Sequence, residues 1–108
     1  MDTINEFLKR NLKTHTAIDG DKIQDLRPIM RCADGFRVSV QASKYHYCEP
    51  RIDGDCKYVS VELGFPIAED PLIIDYAEEP DKPTETVYGY VPIEIVNKLV
   101  KKHGGIVN

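Results

Sequence analysis

The sequence predicts a small α+β protein, in which an antiparallel sheet of three to four strands packs against an N-terminal and a C-terminal helix. Apolar residues recur with helical spacing near both ends of the chain, and two segments between residues 36 and 65 alternate apolar and polar residues as strands do. A length of 108 residues and a hydrophobic content of 42% suit one modest core. We therefore expect a single domain over residues 1–108.

The first helix is expected from about Ile4 to Lys13. Thr3 and Glu6 form a capping box, in which each side chain accepts a hydrogen bond from the backbone N–H at the other's position. The apolar residues of this segment share one helical face, and its charged residues share the other. The predicted buried stripe consists of Ile4, Phe7, Leu8 and Leu12.

Glycine-containing turns follow the helix. Asp19-Gly20-Asp21 predicts a turn, and residues 22–26 predict a short helical turn after it. Asp34-Gly35 is a favoured pair for a two-residue hairpin loop, in which both positions have positive φ. This loop predicts that Ala33 lies opposite Phe36 across the hairpin.

The strand that begins at Phe36 alternates apolar and polar residues, which is typical of a half-buried antiparallel strand. Its pattern breaks at residues 43–44, where a bulge or a bend is expected. Beyond the break, Tyr45 and Tyr47 can turn toward the core and His46 toward solvent. The loop that follows is rich in cysteine and charged residues.

The next strand is expected over residues 57–65, with Tyr58, Ser60 and Glu62 facing solvent. Residues 66–83 then form a long connection with four prolines, six carboxylates and one lysine, which we name the acidic segment. The apolar face of the strand consists of Val59, Val61, Leu63 and Phe65.

A last strand and a helix complete the predicted fold. The strand covers residues 84–91, and Gly89 within it indicates a bulge or a close backbone approach. Pro92 suits the first turn of the helix, because an N–H at that position would have no helical partner. Gly104-Gly105 ends the helix. Its buried stripe consists of Ile93, Val96, Leu99 and Val100.

Composition and charge argue against several classes of protein. A net charge of −4 disfavours direct binding to nucleic acid, since such proteins neutralise phosphates with a basic face. No apolar run has the roughly 18 residues of a membrane span, and the first residues are too polar for a signal peptide. Three cysteines, an odd number, fit reduced thiols better than a disulfide framework. We expect a soluble cytoplasmic protein.

Motifs for catalysis or metal binding are weak. His46, Cys48 and Cys56, with Cys32 across the hairpin, could offer four ligands to zinc, but their spacing matches no zinc knuckle. Cys48 and His46 could also form a nucleophile and its base, although no third member can be named. The two Asp-Gly-Asp turns lack the later ligands of a calcium loop. We expect no enzymatic activity, no metal and no cofactor.

Two segments carry residue types that favour binding to another protein. One loop concentrates the residue types of interaction hot spots, in Tyr45, His46, Tyr47, Glu49 and Arg51. The acidic segment can occupy a basic channel as a phosphate backbone does, through Asp75, Glu78, Glu79 and Asp81. The alternatives are that Tyr45 and Tyr47 belong to the core, and that the acidic segment is a solvated loop.

Three stretches between about Gly35 and Val107 carry a resemblance to known proteins, namely VSVQASKYHYCEPR, YVSVELGFP and YAEEPDKPTETVYGYVPIEIVNKLVKKHGGIV. Together they resemble a family of short proteins encoded by phages and prophages of Gram-positive gut bacteria. That family has no assigned activity, so the resemblance implies a context and no site residue.

The phage context implies a small acidic protein that binds and inhibits a host protein, as anti-CRISPR and other anti-defence inhibitors do. The expected partner is a host protein in the host cytoplasm, such as a nucleic-acid-binding defence effector, without membrane or direct nucleic-acid contact. Two other classes stay open. One is a small-molecule, nucleotide or metal-binding module that uses His46, Arg51 and nearby tyrosines. The other is a structural phage protein that forms homo-oligomers by strand pairing.

Overall fold

A computed structural model describes residues 4–108, and it confirms the predicted α+β class. The predicted capping-box residue Thr3 lies outside the described residues. Within them, six strands form two antiparallel sheets, one of two strands and one of four. In chain order the elements are α1 (Ile4–Arg10), β1 (Thr14–Thr16), β2 (Lys22–Gln24), β3 (Met30–Arg31), β4 (Arg37–Gln41), β5 (Ser60–Gly64), a 3-10 helix (Ile74–Tyr76), β6 (Val87–Pro92) and α2 (Ile93–Lys102).

One hydrophobic core joins both helices to the four-stranded sheet, whose order is β3-β4-β5-β6. The alternation predicted for the second strand is confirmed, because its apolar residues are buried from Phe36 to Ala42. Phe7 is fully buried, and truncating such a side chain to alanine costs about 3–5 kcal/mol. The helices contribute Ile4, Phe7, Leu8, Val96, Leu99 and Val100.

α1 ends at Arg10, earlier than the predicted Lys13. The backbone N–H and the side-chain amide of Asn11 both donate to the carbonyl of Phe7, at 3.2 and 2.9 Å. A side-chain bond of this kind competes with continued helical pairing. Leu12 is consequently only half-buried and does not complete the predicted stripe.

Residues 13–26 form an exposed hairpin, the hairpin arm, that the sequence does not predict. β1 and β2 pair antiparallel, and the predicted turn at residues 19–21 closes them. The N–H of Ala17 donates to the carbonyl of Asp21 at 2.7 Å. The helical turn predicted for residues 22–26 is wrong. Both faces of the hairpin arm are exposed, so it lacks the apolar alternation that reveals a strand.

The turn between β3 and β4 holds three residues instead of the predicted two. Cys32, rather than Ala33, lies opposite Phe36, and its N–H donates to the Phe36 carbonyl at 2.8 Å. Asp34 does not adopt positive φ, and its carboxylate instead accepts a hydrogen bond from the N–H of Phe36 at 2.9 Å. Gly35 alone in this loop has positive φ, of 94°. A side-chain turn of the kind that aspartate favours thus replaces the predicted hairpin turn.

β5 is shorter than predicted, and the residues that flank it are oriented differently. The strand covers Ser60–Gly64, whereas Val59 and Phe65 lie outside it and are 60% and 61% exposed. Tyr58 is buried rather than facing solvent, because the side chain of Asn5 bonds to both its carbonyl and its N–H, at 3.1 and 2.9 Å. Phe65 has a φ of 52°, which takes it out of the alternation of the strand.

β6 begins at Val87, later than predicted, because the preceding residues form turns. The bulge predicted at Gly89 is confirmed, since Gly89 and Tyr90 together lie opposite Glu62 of β5. α2 begins at Ile93, and Pro92, which was predicted to lie in the first turn of the helix, is instead its N-cap and the last residue of β6. Neither helix within residues 4–108 has the length and apolarity needed to cross a membrane.

Both edges of the four-stranded sheet are covered within the described chain. Residues 77–79 lie along β6, where the N–H of Glu78 donates to the carbonyl of Val87 at 2.9 Å. At the opposite edge, the N–H of Val107 donates to the carbonyl of Arg31 in β3, also at 2.9 Å. A covered edge does not offer its backbone groups to a strand of another chain.

Candidate protein-binding surface

β6 brings together the two segments that the sequence predicts to bind a partner. The carbonyl of Tyr47, in the loop after β4, accepts a hydrogen bond from the N–H of Tyr90 at 3.0 Å. The N–H of Glu78, in the acidic segment, donates to the carbonyl of Val87 at 2.9 Å. Val87 and Tyr90 belong to the same strand and lie at most about 10 Å apart. The loop and the acidic segment are therefore neighbouring parts of one surface.

Tyr47, Arg51 and Tyr90 form an exposed aromatic patch beside β6. The centroids of the two tyrosine rings are 5.8 Å apart, and the ring planes are inclined at 33°. The guanidinium carbon of Arg51 lies 5.3 Å from the centre of the Tyr47 ring. Aromatic pairs and cation–π contacts of this geometry are favourable. The three side chains thus hold one another in position, while Tyr47 and Tyr90 stay 43% and 46% exposed.

The backbone beneath the aromatic patch fixes its position. Gly89 leaves room for Tyr47, since a Cβ atom at position 89 would lie 3.3 Å from the Cβ of Tyr47. Tyr90 has a φ of 52°, a conformation that costs a residue with a side chain on the order of 1–3 kcal/mol. Strain of this kind persists where the surrounding structure imposes it, and it is concentrated at functional sites.

The side chains that follow β4 have the reverse of the predicted orientation. Tyr45 and Tyr47, expected to turn toward the core, are 75% and 43% exposed, and His46, expected to face solvent, is half-buried. His46 Nδ1 lies 2.6 Å from the hydroxyl oxygen of Ser43, which also accepts a hydrogen bond from the N–H of Tyr45. Burial lowers the pKa of His46 below its usual value. His46 therefore supports the loop from inside, and the alternative that the two tyrosines belong to the core is wrong.

Tyr45 lines a cavity of about 130 Å³ between the hairpin arm and the loop after β4. Lys22 and Ile23 of the hairpin arm form one wall, and Lys44 and Asp53 form part of the other. The ammonium nitrogen of Lys44 lies 5.3 Å from the centre of the Tyr45 ring. Tyr45 thus packs beside the hairpin arm, while Tyr47 belongs to the aromatic patch.

Glu49 attaches the loop to β5. Its N–H donates to the carbonyl of Ser60 at 3.2 Å, and its carboxylate accepts a hydrogen bond from the Ser60 hydroxyl at 3.3 Å. Ser60 is buried, although the sequence predicts that it faces solvent. The carbonyl of Glu49 also accepts a hydrogen bond from the N–H of Val59 at 2.8 Å. These backbone and side-chain hydrogen bonds hold the loop beside the start of β5, and the side chains of both Glu49 and Val59 are exposed.

The acidic segment is an ordered connection rather than a loose loop. Asp70 and Ile73 are buried before and at the start of its 3-10 helix, and residues 77–79 follow the edge of β6. The hydroxyl of Tyr88 donates to the carbonyl of Pro83 at 2.5 Å. None of the four predicted partner-binding carboxylates forms an ion pair with another of residues 4–108, and all four are exposed: Asp75, Glu78, Glu79 and Asp81.

The cysteines do not assemble with other ligand-type side chains. Cys32 and Cys48 are buried, and no group of three residues that could hold a metal occurs within residues 4–108. The Cys48 thiol donates to the carbonyl of Ser43 at 3.2 Å, while His46 contacts the hydroxyl of Ser43. Burial raises the pKa of the Cys48 thiol, which disfavours the nucleophilic thiolate. The side chains of His46 and Cys48 therefore each contact Ser43, and they do not form a nucleophile–base pair.

Sequence reasoning missed Tyr90 and Val59 as surface residues. The sequence places Tyr90 within a strand and Val59 on an apolar face, yet both are exposed. The bulge turns Tyr90 outward, and β5 begins only after Val59. Gly89, which predicts the bulge, is the signal in the sequence that points to Tyr90.

Comparisons with protein-family models, with curated proteins and with solved structures find no match to this chain. The resemblance of residues 35–107 to phage proteins therefore stays a prediction. Evidence for a function comes from the surface beside β6.

Proposed function

We propose that this protein binds a host protein and inhibits it, as a phage- or prophage-encoded anti-defence protein of the anti-CRISPR type that acts in the host cytoplasm. The observation that supports this proposal is the meeting of the aromatic patch and the acidic segment at β6. The activity is binding rather than catalysis, and it uses no cofactor.

The aromatic patch supplies the contacts that hold the complex. Tyrosine and arginine are enriched among the residues that dominate the free energy of protein association. The positions of Tyr47 and Tyr90 are already restricted by their mutual contact and by the backbone hydrogen bond between them. Side chains that are ordered before binding lose little conformational entropy when the complex forms. Glu49 adds a further exposed side chain to the same loop.

The acidic segment attracts the partner. Its exposed carboxylates create a negative potential, which accelerates the encounter with a basic surface. Channels that bind single-stranded nucleic acid combine basic residues with aromatic side chains on which the bases stack. A nucleic-acid-binding defence effector therefore matches both the carboxylates of the acidic segment and the rings of the aromatic patch.

The two alternative functions receive less support from the geometry. A small-molecule or metal-binding module would gather His46 and Arg51 around one site, but His46 is held by Ser43 inside the loop and Arg51 is exposed beside Tyr47. A structural protein that oligomerises by strand pairing through the four-stranded sheet would need a free edge of that sheet. Residues 77–79 and the C-terminal residues cover the edges of the four-stranded sheet.

The test is affinity capture from the natural host, followed by an activity assay on the purified partner. We expect wild-type protein to capture and inhibit a nucleic-acid-binding protein. Tyr47→Ala and Tyr90→Ala should each weaken binding by about 30-fold, as loss of a hot-spot side chain does. Phe65→Ala is the matched control, because Phe65 is also an exposed aromatic residue with a φ of 52° but lies outside the aromatic patch.

Equal binding and inhibition by all three variants would place the interface elsewhere. Recovery of the chain in complex only with itself would favour the oligomeric alternative. A captured protein whose activity is unaffected would contradict the inhibitory role.

A further inference from the structure

His103 lies between two carboxylates at the C-terminal end of α2. Its Nδ1 is 2.7 Å from Oδ2 of Asp34, and its Nε2 is 2.9 Å from Oδ2 of Asp70. Lys102 donates to the same oxygen of Asp70 at 3.0 Å. The imidazole also stacks on Phe36, with ring centroids 4.0 Å apart and planes inclined at 9°. We name Asp34, Asp70, Lys102 and His103 the His103 cluster.

The geometry of the His103 cluster suits an imidazolium. A neutral imidazole has one N–H donor and one lone pair, so it can donate to only one carboxylate at a time. An ionised carboxylate accepts hydrogen bonds and cannot donate one. With an aspartate oxygen facing each ring nitrogen, His103 satisfies both aspartates only when both nitrogens carry a proton.

Both aspartates favour the ionised state. Hydrogen bonds from the N–H of Phe36 and from His103 lower the pKa of Asp34. Burial alone would raise the pKa of Asp70, but hydrogen bonds from the N–H of Leu72, from His103 and from Lys102 bring it below its usual value. Both carboxylates therefore act as acceptors near neutral pH.

The His103 cluster joins three parts of the chain. Asp34 belongs to the turn between β3 and β4, and its N–H donates to the carbonyl of His103 at 3.2 Å. Asp70 is 3% exposed and lies near the start of the acidic segment. Its carboxylate accepts the N–H of Leu72 at 3.0 Å, and its carbonyl accepts the N–H groups of Ile73 and Ile74 at 3.2 and 3.1 Å. The position of Asp70 thus fixes the path of the backbone near the start of the acidic segment.

We propose that His103 is a proton-dependent clamp that holds the start of the acidic segment and the β3–β4 turn against the end of α2. Loss of one ring proton as pH rises leaves a nitrogen lone pair facing a carboxylate, so one of the two contacts becomes repulsive. The backbone hydrogen bonds around Asp70 then open more often. This clamp is independent of which partner the acidic segment binds.

The titratable side chains around His103 come from the β3–β4 turn, from the acidic segment and from α2 itself. The charged side chains that contact it in the described chain are Asp34 and Asp70, and Lys102 shares Asp70 with it. Cys32 lies two residues before Asp34, and burial, followed by the charge of Asp34, raises the pKa of its thiol to about 11. Histidine is the side-chain type that ordinarily changes charge between pH 5 and 8.

The test uses NMR of the isolated protein, with ring-nitrogen signals and amide-exchange protection factors recorded from pH 5 to 9. We expect both ring nitrogens of His103 to be protonated wherever Leu72, Ile73 and Ile74 are well protected. Protection factors at those amides should fall by about tenfold or more as the ring loses a proton, because a charge-assisted hydrogen bond is lost. In His103→Gln, protection should be low and independent of pH.

His15→Gln is the matched control. His15 contacts a single carboxylate, that of Asp25, on the exposed hairpin arm, so this change should leave the transition at residues 72–74 intact. Asp34→Asn provides a second variant if His103→Gln does not fold. It should weaken the pH dependence, because the amide introduced at position 34 can donate to an unprotonated ring nitrogen. A neutral His103 ring in well-protected protein would overturn the proposal, and so would a transition that persists in His103→Gln.

Discussion

Gly35 sets the conformation of the β3–β4 turn through its φ of 94°, which a β-branched residue adopts only with strain. We expect Gly35→Val to lower the free energy of unfolding by about 1–3 kcal/mol. Urea denaturation of the two proteins measures this difference. Gly64→Ala is the control, since Gly64 has ordinary φ and an added Cβ would make only normal contacts at 3.8 Å. An unchanged midpoint for Gly35→Val would contradict the assigned turn.

Asp70 makes stability depend on pH at the acidic end of the scale. Burial would raise its pKa, but the hydrogen bonds that it accepts lower it below the unfolded value of about 3.9. Its contribution to stability is therefore complete above that value and is lost as pH falls through the lower, folded pKa. We expect the urea midpoint to decrease below about pH 4, and to decrease less in Asp70→Asn. Asp75→Asn, which changes an exposed carboxylate, should follow the wild-type profile; identical slopes for all three proteins would contradict this role for Asp70.

At the scale of elements, the acidic segment is expected to act through its charge. Reversing Glu78, Glu79 and Asp81 to lysine should weaken partner binding chiefly through slower association, since exposed charges at an interface steer the encounter. The fold should survive, because all three side chains are exposed. Raising the salt concentration from about 0.05 to 0.5 M should slow wild-type association in the same direction, as the Debye length falls from roughly 14 to 4 Å. Stopped-flow or surface-based kinetics with the captured partner measures the association and dissociation rate constants.

A control variant has the same change in net charge, but its three substitutions lie outside the acidic segment. Lysine replaces one exposed carboxylate in the hairpin arm, one in the loop before β5 and one in α2, namely Asp21, Asp55 and Glu94. This control should associate with the partner faster than the variant with lysine at positions 78, 79 and 81, at a rate closer to that of the wild type. If both variants associate equally slowly, net charge rather than the acidic segment governs the encounter.

At the scale of the whole molecule, the covered edges of the four-stranded sheet disfavour association of two chains through that sheet. Residues 77–79 shield β6, and the C-terminal residues shield β3. We expect sedimentation equilibrium at micromolar concentrations to give the mass of one chain, 12.3 kDa. A mass that rises with concentration would instead support the structural, homo-oligomeric alternative.

Periodic patterns of apolar residues are sufficient to predict the fold class and most of the regular elements of this chain. In each element the buried residues recur with the period of that element, as in the helical stripe of α2 and the alternation of β4. The sequence also predicts the bulge at Gly89, because a glycine within a strand often marks a bulge. The hairpin arm was not predicted, because neither of its faces is buried. The predicted β3–β4 register was wrong, because a side-chain hydrogen bond of Asp34 stabilises a different turn.

The residues that form the candidate surface are selected by contacts between distant parts of the chain. The loop after β4 has no period, so the burial of His46 and the exposure of Tyr45 and Tyr47 depend on contacts with Ser43 and Gly89. The sequence predicted the loop and the acidic segment as separate candidates. They meet because both pair with β6, and such pairing joins residues far apart in the chain, for which local patterns carry no information.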